Sequence, residues 1–253
     1  MERLTLARRG AWTDCASGLS EADIDVGRFA RPFSLINRPL LALDDTSDPL
    51  LLVAPLFVSD AMMYSLSGLM AGTLQGKYWQ SETAVAYAGR QAEIAGAEFE
   101  DAVAERLRAL GLWARSRSKL GWVLNQKVDP GAGNIDVLAV SVDRRRVWVI
   151  EAKNLRLCRT ETEVASRLSE YRGRMVRDSN GREKPDKLLR HLRRVQYLRE
   201  RNAALCERLE LDAPPAVNGL LIVDAPQPMN FYMLEDVPDA KSLYLDSVNS
   251  FEF

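Results

Sequence analysis

The sequence predicts an α/β domain built on a largely buried central sheet. Three observations carry this reading. Helical stretches with a 3.6-residue apolar period alternate with short apolar runs between residues 81 and 225. Ile135, Val137, Leu138, Val140, Val147, Val149 and Ile150 point to both faces of their runs, as in strands covered on two sides. Glycine-rich punctuation, Gly111 and the loop "DPGAG", separates helix from strand and strand from strand.

The elements follow in order. "FSLINRPLLAL" and "LLLVAPLFV" are strand-like and flank the turn "DDTSDP". A helix capped at Ser59 or Asp60 runs to about Leu74, and "QGKYWQS" is a loop. A long helical stretch covers about Ser81–Leu110, with a break expected near Gly96 and a stop at Gly111. A strand near Trp113–Ser118 leads through "DPGAG" into two further strands within residues 133–155. Residues 161–208 read as basic helices, "ETEVASRLSEYRGRM" and "DKLLRHLRRVQYLRERNAALCERL", joined by the loop "DSNGREKP". "VNGLLIV" is another strand, and "SLYLDSV" is the last candidate.

Composition narrows the class. With 253 residues, 47% apolar and 27% charged, the chain suits a soluble globular protein of one large domain or one domain with an appendage. The three cysteines, Cys15, Cys158 and Cys206, lie far apart without a CxxC pair, which argues against a zinc ribbon or disulfide framework and suits a reducing cytosol. The N-terminus lacks an apolar signal core, so a cytoplasmic location is expected. From Pro49 to Gln75 the only charge is Asp60, but Pro55, Ser59 and Asp60 interrupt the middle, so a strand and helix explain the segment better than a membrane span.

The net charge of −1 conceals segregation. Residues 144–208 hold 19 Lys/Arg against 9 Asp/Glu, whereas residues 209–253 hold one against 8. Such a block is either a footprint for a polyanion or a set of solvated helix faces. There is no GxxxxGK[ST], GxGxxG or GxSxG motif. The single histidine, His191, lies in "LLRHLRRV" and reads as a surface or partly buried residue, which argues against a His-based triad.

The chemistry concentrates in "GNIDVLAVSVDRRRVWVIEAKNL", where Asp136, Glu151 and Lys153 stand in apolar strands. A hairpin centred between Asp143 and Arg144 sets Asp136 opposite Glu151, with Cβ atoms about 5 Å apart, and puts Lys153 on the same face. Two carboxylates so close repel, and a divalent cation such as Mg²⁺, with Mn²⁺ as substitute, resolves the conflict. Lys153 would then orient or help deprotonate a nucleophilic water, and the Ala152 carbonyl is a further candidate ligand. The competing reading is an ion pair of Lys153 with one of the acids.

At these residues the sequence resembles the PD-(D/E)xK, or restriction-endonuclease-like, nuclease superfamily: "NID" at 134–136, fourteen residues between the acids, and "EAK" at 151–153. Ile135 stands where the eponymous proline would be. "GAEFEDAVAERLRALGLWARS" is similar to the first helix and strand of the Mrr-like and archaeal resolvase-like branches. The resemblance spans roughly residues 96–225. It implies a restriction-endonuclease-like core, a central mixed sheet flanked by helices, over residues 91–253. Residues 1–90 would be an accessory region or the tail of a preceding domain. It further implies that a first-helix glutamate, Glu100 with Glu98 as alternate, reaches toward the metal site. Asp136, Glu151, Lys153 and Glu100 would be catalytic, and Asp136, Glu151, Ala152 and Glu100 would hold metal. Arg156, Arg159, Arg167, Arg172, Arg174, Lys187, Arg190, Arg193 and Arg194 would grip phosphates.

The expected function is a Mg-dependent deoxyribonuclease in restriction, phage defence or DNA repair, with DNA as partner and RNA left open. A homodimer, or other domains of a larger parent protein, are further expected partners. The alternatives are a catalytically silent nucleic-acid-binding or scaffold module on the same fold, and an unrelated α/β protein with an accidental charge trio.

Overall fold

The structure is a computed structural model that describes residues 5–7, 39–44, 46, 48–72, 81–128, 133–158, 161–177, 181–232 and 240–253. It divides into two compact units, 1–95 and 96–253.

In the first unit, β1 (Thr5–Ala7), β2 (Leu40–Ala42) and β3 (Leu51–Val53) form a three-stranded sheet. β2 and β3 are antiparallel, with Leu40 opposite Val53, so the expected hairpin forms. Its turn is held by the Asp44 carboxylate, which accepts from the backbone N–H groups of Thr46 and Leu50, both at 3.1 Å. Helix α1 spans Pro55–Met70, so "PLFV" is helical rather than the strand end expected from sequence. Pro55 explains the earlier start: at the first helical position a proline loses no hydrogen bond, and its φ is already helical. Gly72 follows at φ +66°, pressed against the Ala92 backbone where a side chain has no room.

Helix α2 spans Glu82–Ala109 without the break expected at Gly96. A helical glycine costs only about 1 kcal/mol, less than the burial of the residues that follow. Phe99, Val103, Ala104 and Leu107 form one buried stripe, and each of the larger ones contributes roughly 1.5–3 kcal/mol. Gly111 ends the helix at φ +86°, as expected.

The second unit is a mixed α/β domain whose five-stranded sheet has the order β10-β9-β6-β5-β4. Its strands are β4 (Trp113–Lys119), β5 (Asn134–Val140), β6 (Arg146–Lys153), β9 (Ala216–Val223) and β10 (Ala240–Tyr244). β4, β5 and β6 are successively antiparallel, while β6, β9 and β10 run parallel. β5 and β6 pair in the expected register, with Val137 opposite Ile150 and Val140 opposite Val147. The turn is four residues long, closed by Ser141 N–H donating to Arg146 O at 2.9 Å, with Arg144 at φ +56°.

Helices cover both faces. On one, the α2 stripe packs with Val137, Ala139, Trp148, Ile150, Ala152, Leu220 and Ile222. On the other, Leu138, Val140, Val147, Val149 and Val217 pack with Val195 and Leu198 of α5 (Lys187–Arg199) and Leu205 of α6 (Asn202–Arg208).

Between residues 161 and 208 the structure departs from the sequence reading. Helix α4 ends at Ser169, having begun at Glu161, and a two-stranded ribbon follows, β7 (Met175–Arg177) against β8 (Glu183–Pro185). Gly173, at φ +72°, lies in the turn between the helix and the ribbon. The ribbon is short and highly charged, so it carries no apolar alternation to announce it. The last helix is also split, because Arg201 leaves the helical region at φ −115° and ψ 30°. Short helices α3 (Leu120–Val123) and α7 (Met229–Tyr232) and a 3₁₀ turn at Leu245–Ser250 complete the domain. "DPGAG" and "QGKYWQS" lie outside the described residues except for Gly133 and Ser81.

Candidate active site

The central strands bring Asp136, Glu151 and Lys153 together. Lys153 Nζ lies 2.7 Å from Asp136 Oδ2 and 3.0 Å from Glu151 Oε1, so one ammonium bridges both carboxylates. Glu151 shares its face with Val147 and Val149 by strand alternation, and therefore looks toward α5. There its Oε2 accepts from Arg194 Nη2 at 2.6 Å, and His191 Nδ1 stands 3.9 Å away.

Asp136 sits at a break in the sheet. Ser116 pairs with Val137 and Ser118 with Ile135, but Arg117 between them adopts φ +50°. Side-chain alternation breaks here too: Val137 packs in the α2 core, whereas Ile135, two residues earlier, packs in the α5 core. A non-glycine residue at positive φ costs about 1 kcal/mol, and such strain clusters at functional sites. The Asp136 carboxylate accepts the Ala152 backbone N–H at 3.1 Å.

Electrostatics divide the acids. Burial raises the pKa of Asp136, nearby Glu151 raises it further, and Lys153 offsets only part. Burial acts on Glu151 in the same sense, but Arg194 and Lys153 outweigh it and hold this carboxyl below its usual range. Burial alone would lower the pKa of Lys153; the two carboxylates reverse that, and the ammonium is held more firmly. Glu100 is half-buried on α2, and its pKa is pushed up to about 7, first by burial and then by Asp136. The alternate, Glu98, is exposed.

A divalent cation fits this donor set in part. Asp136 and Glu151 offer hard oxygens converging on one positive group, which Lys153 supplies here, and Mg²⁺ commonly takes only one or two carboxylates and keeps its waters. Among the described residues no three His, Cys, Asp or Glu side chains gather as a metal cluster, so Glu100 does not join the pair as a third close ligand. Ala152 is buried beside them.

The basic residues fall into distinct settings. Arg172, Arg174, Arg190 and Arg193 are exposed, as is Arg156. Lys187 pairs with Glu170 at 2.6 Å, and Arg167 lies 3.9 Å from the same carboxylate. Arg159 lies outside the described residues. Arg194 is turned inward, its side chain 15% exposed.

His191 corrects the surface or partly buried position expected from sequence: it is fully buried, and neither ring nitrogen has a hydrogen-bond partner. Burial pushes its pKa down to about 4. A signal for this existed, because Leu188, His191, Val195 and Leu198 form one buried stripe of α5 at helical spacing.

Among the described residues no helix is long and apolar enough to cross a membrane. No curated protein and no solved structure matches the chain. Residues 1–245 match the model of the anti-phage protein family called Upx-like. The chain belongs to this family, which gives it a role in defence against phage.

Proposed function

We propose, with membership of an anti-phage family as the premise, that the chain defends by cutting DNA as a Mg-dependent nuclease. The observation that carries this is the pair of buried carboxylates, Asp136 and Glu151, on adjacent strands and bridged by Lys153. Their agreement with the D…ExK pattern of the PD-(D/E)xK resemblance supports the same chemistry.

Asp136 and Glu151 would hold Mg²⁺ or Mn²⁺, with the Ala152 carbonyl as a further candidate donor. Bound there, the ion supplies Lewis acidity that polarises the scissile phosphate and makes water a stronger acid. Lys153, kept protonated by its two neighbours, acts as a charged donor that orients the attacking water rather than as a base. Glu100, with a pKa of about 7, can take or return a proton near neutrality. Water adds to phosphorus, the P–O bond to the leaving oxygen breaks, and that oxygen gains a proton. Exposed Arg172, Arg174, Arg190 and Arg193 would hold the flanking phosphates.

One observation favours a second reading, a silent nucleic-acid-binding module: Glu151 already has two cationic partners, and among the described residues no third carboxylate closes on the site. Plasmid cleavage in Mg²⁺, with and without chelator, separates the two. Chelator-sensitive nicking that disappears in Asp136→Ala supports the nuclease; DNA binding without cleavage by wild type selects the module.

A further inference from the structure

Glu151 is gripped through its two oxygens from two different sides. Oε1 faces Lys153, which also contacts Asp136, whereas Oε2 faces α5 and receives Arg194. The same guanidinium reaches past Glu151: Arg194 Nη1 donates to the Asn134 carbonyl at 2.6 Å. One planar fork therefore ties the start of β5 to the end of β6, two residues from Asp136 on one strand and at Glu151 on the other. Beside it, His191 is buried with two unpartnered ring nitrogens, one of them 3.9 Å from the same Oε2.

We infer that Arg194 is a positioning residue of the site: it fixes Glu151 by Oε2, leaves Oε1 directed toward Asp136 for a cation, and makes no contact with nucleic acid. Arg194 thus differs in role from its neighbour Arg193, which is exposed on the adjacent helix position. A phosphate-gripping arginine presents its guanidinium to solvent, whereas the Arg194 side chain is 15% exposed and each of its terminal nitrogens already donates one N–H within the protein. The mechanism is the usual one for groups behind a metal ligand, where loss of an outer partner weakens metal affinity about 10–100-fold. The cation's part in this rests on the nuclease reading; the tie between Arg194 and Glu151 does not.

The test uses three measurements on the full chain. Mn²⁺ affinity is measured by calorimetry, duplex affinity in Ca²⁺ is measured against salt, and urea unfolding is followed without metal. Arg194→Lys keeps the charge but loses the fork, and should weaken Mn²⁺ binding about 10-fold while leaving the salt slope unchanged. Arg193→Gln should do the reverse, cutting the slope by about 0.9 with Mn²⁺ affinity intact. If Arg194→Lys and Arg194→Gln leave Mn²⁺ affinity intact and Arg194→Gln lowers the salt slope as Arg193→Gln does, Arg194 is a phosphate clamp and the inference is overturned. A wild type that binds no Mn²⁺ defeats the nuclease reading instead. The cycle of Arg194→Lys with Glu151→Gln in metal-free unfolding then decides alone: coupling of about 10-fold in the unfolding constant upholds the tie, and additivity ends it.

Discussion

Helix α5 touches two buried carboxylate sites, one at its N-cap and one along its middle. Asp186, at the cap, is 4% exposed and Glu151 is 6% exposed, so burial does not distinguish them. Their partners do. Asp186 accepts three backbone N–H groups, from Leu189 at 2.7 Å, Arg172 at 2.9 Å and Arg174 at 3.1 Å. Those donors belong to the fold and cannot leave, so this carboxylate anchors the chain on either side of the β7–β8 ribbon to the helix. Asp136 and Glu151 are met mainly by side-chain cations, Lys153 and Arg194, with one backbone N–H from Ala152. A side-chain cation can be shared with, or moved aside for, a metal ion. The contrast separates a carboxylate held by the backbone from a pair held by movable side chains, as the nuclease reading requires.

Breaking each site in turn tests that contrast. The largest effect is expected on cleavage. Asp136→Ala should abolish chelator-sensitive DNA cutting, a loss of at least about 10³-fold, while urea unfolding of the metal-free protein shows equal or slightly greater stability, since two repelling acids become one. Unchanged cleavage would remove Asp136 from the site. Asp186→Ala should show the opposite pattern, costing about 3 kcal/mol in urea unfolding because a cap and two further backbone donors lose their acceptor. If its stability matched wild type, the anchoring role would be lost.

Lys153→Ala comes next. Turnover in Mg²⁺ should fall by about 10²-fold, with duplex affinity in Ca²⁺ nearly unchanged, because one inward-facing ammonium adds little to the exposed arginines. Lys153→Arg should rescue little, since a planar fork does not replace a compact donor. Equal losses of affinity and rate would instead make Lys153 a phosphate clamp.

The smallest effect sharpens the role of Glu100. Its folded pKa of about 7 lies above the ordinary 4.5, so the folded protein binds this proton more tightly than the unfolded chain. Its contribution is fully present below pH 4.5 and is lost as pH rises to about 7. Allowing for solvent screening of a half-exposed group, the loss is about 1 kcal/mol. Glu100→Gln should therefore flatten stability between pH 4.5 and 7, measured by urea midpoints across that range. The same variant should remove any rise in cleavage rate centred near pH 7.

Much of the fold was legible because strands and helices announce themselves by period. Alternation and two-sided apolar runs placed β5, β6 and β9, and the turn at Asp143–Arg144 gave the register that sets Asp136 toward Glu151. Local signals that compete with packing were misleading: Gly96 does not break α2, because Phe99, Val103 and Leu107 bury one continuous stripe. Sequence does not announce the β7–β8 ribbon, since its strands, MVR and EKP, are three residues each and half charged, and its anchor, Asp186, lies outside both strands.

By itself the sequence determined the α/β class, the placing of two acids and a lysine on neighbouring strands, and the basic block that follows them. These depend on short-range periodicity, which a chain carries in its order of residues. Only the tertiary structure decided what surrounds them. Glu151 and Arg194 are 43 residues apart, and Arg194 reads from sequence like any other member of an arginine-rich helix. Which face of α5 turns inward is settled by burial of Leu188, Val195 and Leu198, and that rotation brings His191 and Arg194 to Glu151. The exposed partners of the same helix, Arg190 and Arg193, are left to the solvent for the same reason: a helix packing on a sheet can bury only one stripe.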